Sequence, residues 1–294
     1  MKSGFVSIVG RPNVGKSTLL NSLLERKIAI TSNVSGTTRN IIEGIYNDDD
    51  SQIIFIDTPG ISKPQNKLGS YLNQKAYITF DEDIILFLID CESGFGKGDR
   101  FILDKIKEAN KTTFLLLNKI DKIKKDELLP MISEITKEYT FSEVIPISAL
   151  KGDNVVDLIN TIKKYLKEDI KYYSDDVITN VSRNFLIAEF VREKILHLTH
   201  DEVPHTVNCL VESYKDKGNI IDISVLIIVD RDNLKKIIIG KNGSLIKRVG
   251  IESRKDIEEF LGKQVFLETH VKTIESWRDR EKYLVEFGLT DELK

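Results

Sequence analysis

The chain has 294 residues, of which 41% are hydrophobic and 30% charged, a composition that favours a folded globular protein over a disordered or membrane-embedded one. Because this length exceeds that of one typical domain, we expect two domains. The net charge of −3 at pH 7 does not by itself indicate a polyanionic partner, and the two cysteines, Cys91 and Cys209, lack metal-type or redox-type spacing, which suits buried thiols in a reducing cytosol.

The first predicted strand, residues 5–9, runs directly into residues 10–17, GRPNVGKS, which fit the phosphate-binding pattern G-x-x-x-x-G-K-[ST]. The glycines allow successive backbone N–H groups to point at an anion, and the helix that begins near Lys16 adds the positive end of its dipole. Lys16 would reach the outer phosphates, and the hydroxyl of Ser17 would ligate Mg²⁺. A chance glycine-rich turn is the alternative, although leucines at helical spacing follow the motif. The residues of this loop expected to contact a nucleotide are Gly10, Asn13, Val14, Gly15, Lys16, Ser17 and Thr18.

The rest of the first half alternates predicted strands and helices, which indicates an α/β domain with a mostly parallel sheet and helices on both faces. Two of the strands, 41–46 and 52–57, are expected to form a hairpin across a polar turn. The other predicted strands are 84–90, 113–118 and 144–148. The predicted helices reach residue 25 after the phosphate loop and then cover 68–80, 99–109, 126–139 and 155–166.

Three polar clusters follow the ends of these strands, at 57–60 (DTPG), 118–121 (NKID) and 148–151 (SALK). In such sheets ligands bind at the carboxyl ends of the strands, although Asp, Asn and Ser are also common in innocent caps and turns. Asp57 is expected to hold Mg²⁺ through water, while the N–H of Gly60 meets a γ-phosphate.

The second and third clusters suit a guanine base. Asp121 can accept hydrogen bonds from N1–H and the exocyclic amine of guanine, and Asn118 can meet its O6. Lys119 would pack along the base and the phosphate loop, and the N–H of Ala149 would support O6. The last cluster contributes Ser148, Ala149 and Leu150 to the expected nucleotide site.

In the second half, the polar stretch 169–180 has no period and is a linker candidate. After it, the pattern predicts a helix around 185–198, strands 206–214 and 220–229, a helix 234–239, a helix 244–261, a strand 265–271 and a terminal amphipathic helix around 277–287. The histidines at 197, 200 and 205 do not complete a metal site, and Trp277 is expected in the core.

A G-x-x-G sequence, residues 240–243, lies between the helices 234–239 and 244–261, inside the stretch 231–255, which holds eight basic and two acidic residues. A plain turn and a solvated helix face are the alternative interpretations of the loop and of the charge. Together, a glycine loop that joins two helices and a basic flank are typical of a type II KH domain, which clamps about four nucleotides of single-stranded RNA. The expected RNA contacts are Lys235, Lys236, Ile239, Gly240, Lys241, Asn242, Gly243, Lys247 and Arg248.

The order GRPNVGKS, GTTRN, DTPGI, NKID and SAL resembles the translation-factor class of Ras-like GTPases, and the glycine loop of the second half narrows the resemblance to the Era family. It covers nearly the whole chain. It implies a Ras-like GTPase domain over 1–168, a linker over 169–180 and a type II KH domain with a C-terminal helix over 181–294.

The resemblance also implies site roles. Residues 36–40, GTTRN, match switch I of that family, so Thr38 would be the Mg²⁺ and γ-phosphate ligand, with Thr37 as the alternative. Ser17, Thr38 and Asp57 would then hold the metal, and the catalytic residues would be Lys16, Thr38, Asp57 and Gly60. Ile61 stands where Ras-like enzymes place a glutamine that orients water, so slow intrinsic turnover is expected. Asn13 either helps to bind K⁺ beside the phosphates or braces the loop.

The expected function is therefore a GTP-hydrolysing switch that binds the single-stranded 3′ end of 16S ribosomal RNA and assists assembly of the 30S subunit. The resemblance further implies a cytoplasmic monomer that can associate peripherally with the inner face of the cell membrane. Two alternatives stay open: an RNA-binding protein whose nucleotide site is only structural, and another P-loop kinase or ATPase.

Overall fold

The computed structural model describes residues 1–34 and 36–290. The strands are β1 Lys2–Val9, β2 Ile42–Asn47, β3 Ser51–Asp57, β4 Ile84–Asp90, β5 Thr112–Asn118, β6 Glu143–Pro146, β7 Lys167–Glu168, β8 Asn208–Asp216, β9 Ile220–Val229 and β10 Gln264–Thr273. The helices are α1 Lys16–Leu24, α2 Lys67–Ile78, α3 Lys97–Ala109, α4 Lys125–Thr136, α5 Val155–Tyr165, α6 Arg183–Leu198, α7 Val203–Thr206, α8 Asp232–Ile239, α9 Ser244–Leu261 and α10 Glu281–Glu286.

The described residues divide into two compact units. Among them, the first unit comprises 1–29, 36–64 and 69–180, and the second comprises 30–34, 65–68 and 181–290. The stretch 169–180, predicted as a linker, therefore lies in the first unit. The buried side chain of Gln52 holds it there, since Oε1 of Gln52 accepts the backbone N–H groups of Tyr172 at 2.8 Å and Tyr173 at 3.0 Å.

The first unit is built on a sheet with the strand order β2-β3-β1-β4-β5-β6. Its neighbours pair in parallel except for the predicted hairpin, in which β2 is antiparallel to β3, and for the short β7, which is antiparallel to β1. All seven residues of β4 are buried, as expected of a continuous apolar strand covered on both faces. The predicted mostly parallel sheet of a Ras-like domain is confirmed, and the carboxyl ends of β1, β3, β4 and β5 lie at one edge of it.

The second unit has a three-stranded sheet in the order β10-β9-β8, with β10 parallel and β8 antiparallel to β9. Alternate residues of β9 (Ile221, Ile223, Val225 and Ile227) are buried in an apolar core with residues of α6, α8 and α9. Period-two burial of this kind follows from a sheet that has one face against helices. The predicted KH fold is confirmed. The loop between α8 and α9 has an exposed tip, Lys241 and Asn242.

In the second unit, the start of one predicted strand is displaced and the last predicted helix is wrong. The strand predicted from Thr206 begins at Asn208, because the short helix α7, with Pro204 in its first turn, extends to Thr206, whose hydroxyl donates to the carbonyl of Val203 at 3.0 Å. The helix predicted over 277–287 is broken at Arg280, whose backbone is extended (φ −108°, ψ 109°).

That break has a packing reason. Trp277 is fully buried, as expected, and its indole N–H donates to the carbonyl of Thr206 at 2.8 Å, which fixes a short 3₁₀ turn ahead of α10. Other element ends differ from the prediction by at most about three residues. Across residues 1–34 and 36–290, no helix combines the length and apolarity needed to cross a membrane.

Candidate nucleotide site and glycine loop

The loop between β1 and α1 folds back on itself around its glycines. Gly15 has φ +103°, and a Cβ atom there would lie 2.3 Å from Nδ2 of Asn118. A Cβ at Gly10 would lie 2.6 Å from the carbonyl oxygen of Leu88. Both positions therefore require glycine, one for backbone conformation and both for space. Asn13 has φ +65°, Val14 is buried, and Thr18 continues the first turn of α1 behind the loop.

Lys16 begins α1 and is buried within this loop, with 6% of its surface exposed. Its ammonium donates to the carbonyls of Gly10 at 3.2 Å and Arg11 at 2.9 Å. Burial lowers the pKa of the Lys16 ammonium to about 8, against the opposing charge of Asp57. A positive group held among backbone carbonyls at a helix N-terminus is suited to anionic phosphate oxygens.

The predicted metal ligands converge at the end of β3. The Ser17 hydroxyl donates to Oδ2 of Asp57 at 2.6 Å, and its oxygen lies 2.9 Å from Oγ1 of Thr38. Burial raises the pKa of the Asp57 carboxyl to about 6, while Lys16 and Ser17 oppose the shift. Of the two adjacent threonines, Thr38 is the one whose hydroxyl lies beside Ser17, and Thr37 is buried with 9% exposure.

These groups fit Mg²⁺. Oδ1 of Asp57 is buried and has no hydrogen-bond partner among the described residues, which leaves an unmatched acceptor on an already desolvated carboxylate. Two hydroxyl oxygens lie beside it. Carboxylate and hydroxyl oxygens, together with phosphates and water, are the donors that Mg²⁺ prefers.

The segment after Asp57 approaches the phosphate loop closely. A Cβ at Gly60 would lie 2.7 Å from Pro12, so glycine is needed for this approach. The N–H of Ile61 donates to the carbonyl of Gly10 at 3.3 Å, and its side chain is buried in the apolar core behind β1 and β4. A buried isoleucine cannot orient a water molecule, in agreement with the expectation from sequence.

Asn118 joins three of the predicted segments. Its Nδ2 donates to the carbonyl of Val14 at 2.8 Å, and its Oδ1 accepts the N–H of Ala149 at 2.9 Å. The N–H of Ala149, which was expected to support guanine O6, is therefore donated to Asn118 here. The ammonium of Lys119 donates to the carbonyl of Asn13 at 2.9 Å, so this segment is tied to the phosphate loop twice.

Asp121 lies at the exposed rim of the site. Its Oδ1 accepts the hydroxyl of the fully buried Ser148 at 2.7 Å, which orients the carboxylate. Leu150, in the same loop as Ser148, is 70% exposed next to this rim. An oriented carboxylate beside an exposed apolar side chain is a suitable surface for one edge and one face of a base.

Sequence reasoning missed two acidic residues that contact the motifs. Oδ2 of Asp90 lies 2.6 Å from Nζ of Lys119, and Oδ1 of the buried Asp99 lies 2.8 Å from Nε of Arg11. Asp90 ends β4, so its place at the carboxyl edge of the sheet was a usable signal. No sequence signal indicated the role of Asp99, because that role depends on the path of the chain between β4 and α3.

In the second unit, the loop that joins α8 to α9 has the geometry of an exposed backbone cradle. Gly240 (φ +73°), Asn242 (φ +52°) and Gly243 (φ +74°) all have positive φ angles. At Gly240 a Cβ would lie 2.9 Å from Leu245, whereas at Gly243 there is open space. Lys241 and Asn242 are exposed at the tip.

The basic side chains around the loop are largely accessible. Lys236, Lys247 and Arg248 are exposed, and Lys235 and Ile239 are half-buried. Nε of Arg248 lies 2.7 Å from Oε1 of Glu252, so one of the predicted RNA contacts carries an intrahelical ion pair. Such exposed pairs are weak and exchange readily for phosphate. The residues predicted to contact RNA thus share one end of the α8–α9 pair.

Two family models match the chain. Residues 5–119 match a family described as 50S ribosome-binding GTPase, and residues 202–278 match the KH domain. Among solved structures, the chain is similar to Era in complex with MgGDPNP and nucleotides 1506–1542 of 16S ribosomal RNA, with 44% identity, a TM-score of 0.95 and coverage of 99% of both chains. It is equally similar to a variant of Era from Aquifex aeolicus bound to GDP·AlF4⁻, with 44% identity, a TM-score of 0.95 and coverage of 99% of this chain and 100% of that one.

Proposed function

This chain belongs to the Era family of GTPases, and we propose that it binds GTP with Mg²⁺, hydrolyses it to GDP and phosphate, and binds the 3′ end of 16S ribosomal RNA. Assistance in 30S subunit assembly is part of the same proposal. The observation that carries it is the convergence of Lys16, Ser17, Asp57 and Asn118 on one edge of the sheet, together with an exposed glycine loop in the second unit.

Residues of the first unit can bind and position the phosphates of GTP. Lys16 and the loop N–H groups would hold the phosphates, and Gly60 would place its N–H near the γ-phosphate. Ser17, Thr38 and Asp57 would hold Mg²⁺, which would supply positive charge beside the phosphates. Water attacks the γ-phosphorus and the bond to the bridging oxygen breaks. Because Ile61 is buried and apolar, turnover should be slow unless another group orients the water.

The direct test of this proposal is turnover. Purified protein should release phosphate from GTP in the presence of Mg²⁺, and excess ATP should not compete. Binding of GTP without any turnover would favour an RNA-binding protein with a structural nucleotide site. Competition by ATP as strong as by GTP would instead point to a P-loop kinase or ATPase and would overturn the guanine assignment.

Thr38 is proposed as the metal-ligating switch residue, and the adjacent threonine offers a matched control. Thr38→Ala removes the hydroxyl that lies 2.9 Å from Ser17 Oγ, so the Mg²⁺ concentration that supports half-maximal GTP turnover should rise about tenfold. Thr37→Ala removes an equivalent hydroxyl and should leave the Mg²⁺ requirement near that of the parent. The opposite ranking would assign the metal to Thr37.

We propose K⁺ as a further cofactor through Asn13, whose left-handed backbone conformation turns its carbonyl toward Lys119. If its side chain helps to hold a monovalent cation beside the phosphates, GTP turnover in K⁺ should exceed turnover in Na⁺ by about tenfold or more. Asn13→Ala should abolish that difference. Equal rates of the parent protein in both salts would leave Asn13 with only a bracing role in the loop.

The cellular setting is also a proposal: a cytoplasmic monomer that can associate peripherally with the inner face of the membrane. Its support is family membership. Sedimentation with vesicles of anionic lipid, compared with neutral vesicles, tests the association. Failure to sediment with either would remove the membrane from the proposal and leave the GTPase and RNA functions untouched.

A further inference from the structure

The turn that follows β4 contacts two separate parts of the nucleotide site. In the β4–β5 pairing, Asp90 is in register with Asn118, and the N–H of Cys91 donates to the carbonyl of Asn118 at 2.9 Å. The carboxylate of Asp90 thereby reaches the next residue, Lys119. The structure places an acidic side chain directly behind the segment that is proposed to recognise guanine.

Two acceptors hold the ammonium of Lys119: the carboxylate of Asp90 and the backbone carbonyl of Asn13. Its Nζ lies 2.6 Å from Oδ2 of Asp90 and 2.9 Å from the carbonyl oxygen of Asn13. The side chain of Asp90 is 11% exposed and that of Lys119 is 29% exposed, so solvent screens this pair only in part. A charge-assisted hydrogen bond of this length fixes the lysine stem between β4 and the phosphate loop.

Asp90 is itself fixed before it reaches the lysine. Its Oδ1 accepts the N–H of Glu92 at 2.9 Å, and its backbone carbonyl accepts the N–H of Gly94 at 3.0 Å. The carboxylate is therefore pre-oriented by its own turn. Lys119, in contrast, has φ +65°. This left-handed backbone conformation costs free energy for any residue other than glycine, and surrounding contacts are needed to maintain it.

The segment that follows this turn also contacts the phosphate loop. The guanidinium of Arg11 donates from Nε to Oδ1 of Asp99 at 2.8 Å and from Nη2 to the carbonyl of Gly94 at 3.2 Å. Gly98 makes room for it, because a Cβ there would lie 2.7 Å from Cδ of Arg11. Residues 90–99 thus contact both Arg11 of the phosphate loop and Lys119, and so hold these two parts of the site in fixed positions.

We propose that Asp90 is a positioning residue for guanine-nucleotide binding, acting through Lys119. It holds the ammonium on the carbonyl of Asn13 and so keeps the base-recognition segment and the phosphate loop in their binding arrangement before the nucleotide arrives. The inference rests on the proposed GTP-binding function. Asp90 does not touch the reacting phosphate in this scheme, so it should set affinity and leave the chemical step alone.

The test is a double-mutant cycle on nucleotide affinity. Asp90→Asn keeps the size of the side chain and removes its charge, and it should raise the Kd of GDP and of GTP by the same factor, about tenfold. The rate of GTP turnover at saturation should stay within about twofold of the parent. In a Lys119→Ala background, Asp90→Asn should have no further effect on either Kd.

The control is Asp104→Asn, which makes the same change in an exposed ion pair with Lys107 on α3 and should leave both Kd values unchanged. An unchanged Kd for Asp90→Asn would overturn the proposal, and so would an equal loss in the Lys119→Ala background. If Asp90→Asn does not fold, Asp90→Ser retains an oxygen for the N–H of Glu92 and serves in the same cycle. If the parent itself binds no GDP, the proposed function fails instead, so the two failures are distinguishable.

Discussion

Asp121→Asn is expected to weaken GTP binding by about a thousandfold and to turn the preference toward xanthine nucleotides. The carboxylate of Asp121 would accept two hydrogen bonds from guanine, and hydrogen bonds to a charged group contribute about 1.5–3 kcal/mol each. An amide in its place offers a donor that opposes the donors of guanine but matches the additional carbonyl of xanthine.

The structure indicates that Asp121→Asn can be made without disturbing the fold. Asp121 is exposed, and the amide oxygen of asparagine can still accept the hydroxyl of Ser148, which now lies 2.7 Å from Oδ1. The measurement is a Kd for GDP and for xanthosine diphosphate in parent and variant. Asp126→Asn, the same substitution at an exposed residue of α4, is the control and should change neither. Unchanged GDP affinity in Asp121→Asn would remove guanine recognition from this residue.

Placing aspartates at both Lys241 and Asn242 is expected to lower affinity for single-stranded RNA by about a hundredfold or more while basal GTP turnover stays intact. Both residues are exposed at the tip of the glycine loop, where Gly240 and Gly243 have positive φ angles and carry no side chain that would keep a phosphate from the backbone. Two carboxylates there would repel the phosphates that the loop is proposed to clamp.

A matched control exists at the end of β8 and in the turn that follows it. Lys215→Asp with Asn219→Asp makes the same chemical changes and the same change in net charge at exposed positions of the same unit, and it should leave RNA affinity near that of the parent. The probe is a single-stranded RNA with the 3′-terminal sequence of 16S ribosomal RNA, and the same RNA annealed to its complement should bind poorly. Equal RNA binding by the loop variant and the parent would contradict the KH assignment.

The salt dependence of binding separates individual contacts at this surface. For single strands, the logarithm of affinity falls with the logarithm of salt concentration by about 0.7 per phosphate contact. Lys247→Ala and Arg248→Ala should each reduce that slope by about this amount. Arg248 should show the smaller loss in affinity, because its guanidinium already pairs with Glu252 at 2.7 Å and must leave that partner to bind phosphate.

The sequence by itself determined the order of the elements and the identity of the motifs. The bounds of β4, Ile84–Asp90, and of α9, Ser244–Leu261, follow from an uninterrupted apolar run and from helical spacing between two glycines. Both signals are local, because strand and helix periodicity is set by neighbours within a few residues. The phosphate loop was equally readable, since its glycines, lysine and serine follow one local pattern directly after an apolar strand.

Only the tertiary structure decided which distant groups satisfy one another. Asn118 reaches Val14 and Ala149, Asp90 reaches Lys119, and Gln52 holds the backbone at Tyr172 and Tyr173. These partners are separated by between 29 and 121 residues along the chain. Most buried polar groups are hydrogen-bonded, but composition and periodicity do not say which strand register brings a partner within reach. The break of the last predicted helix at Arg280 has the same origin, because the buried indole of Trp277 finds its acceptor at Thr206, and that distant contact overrides the local helical pattern.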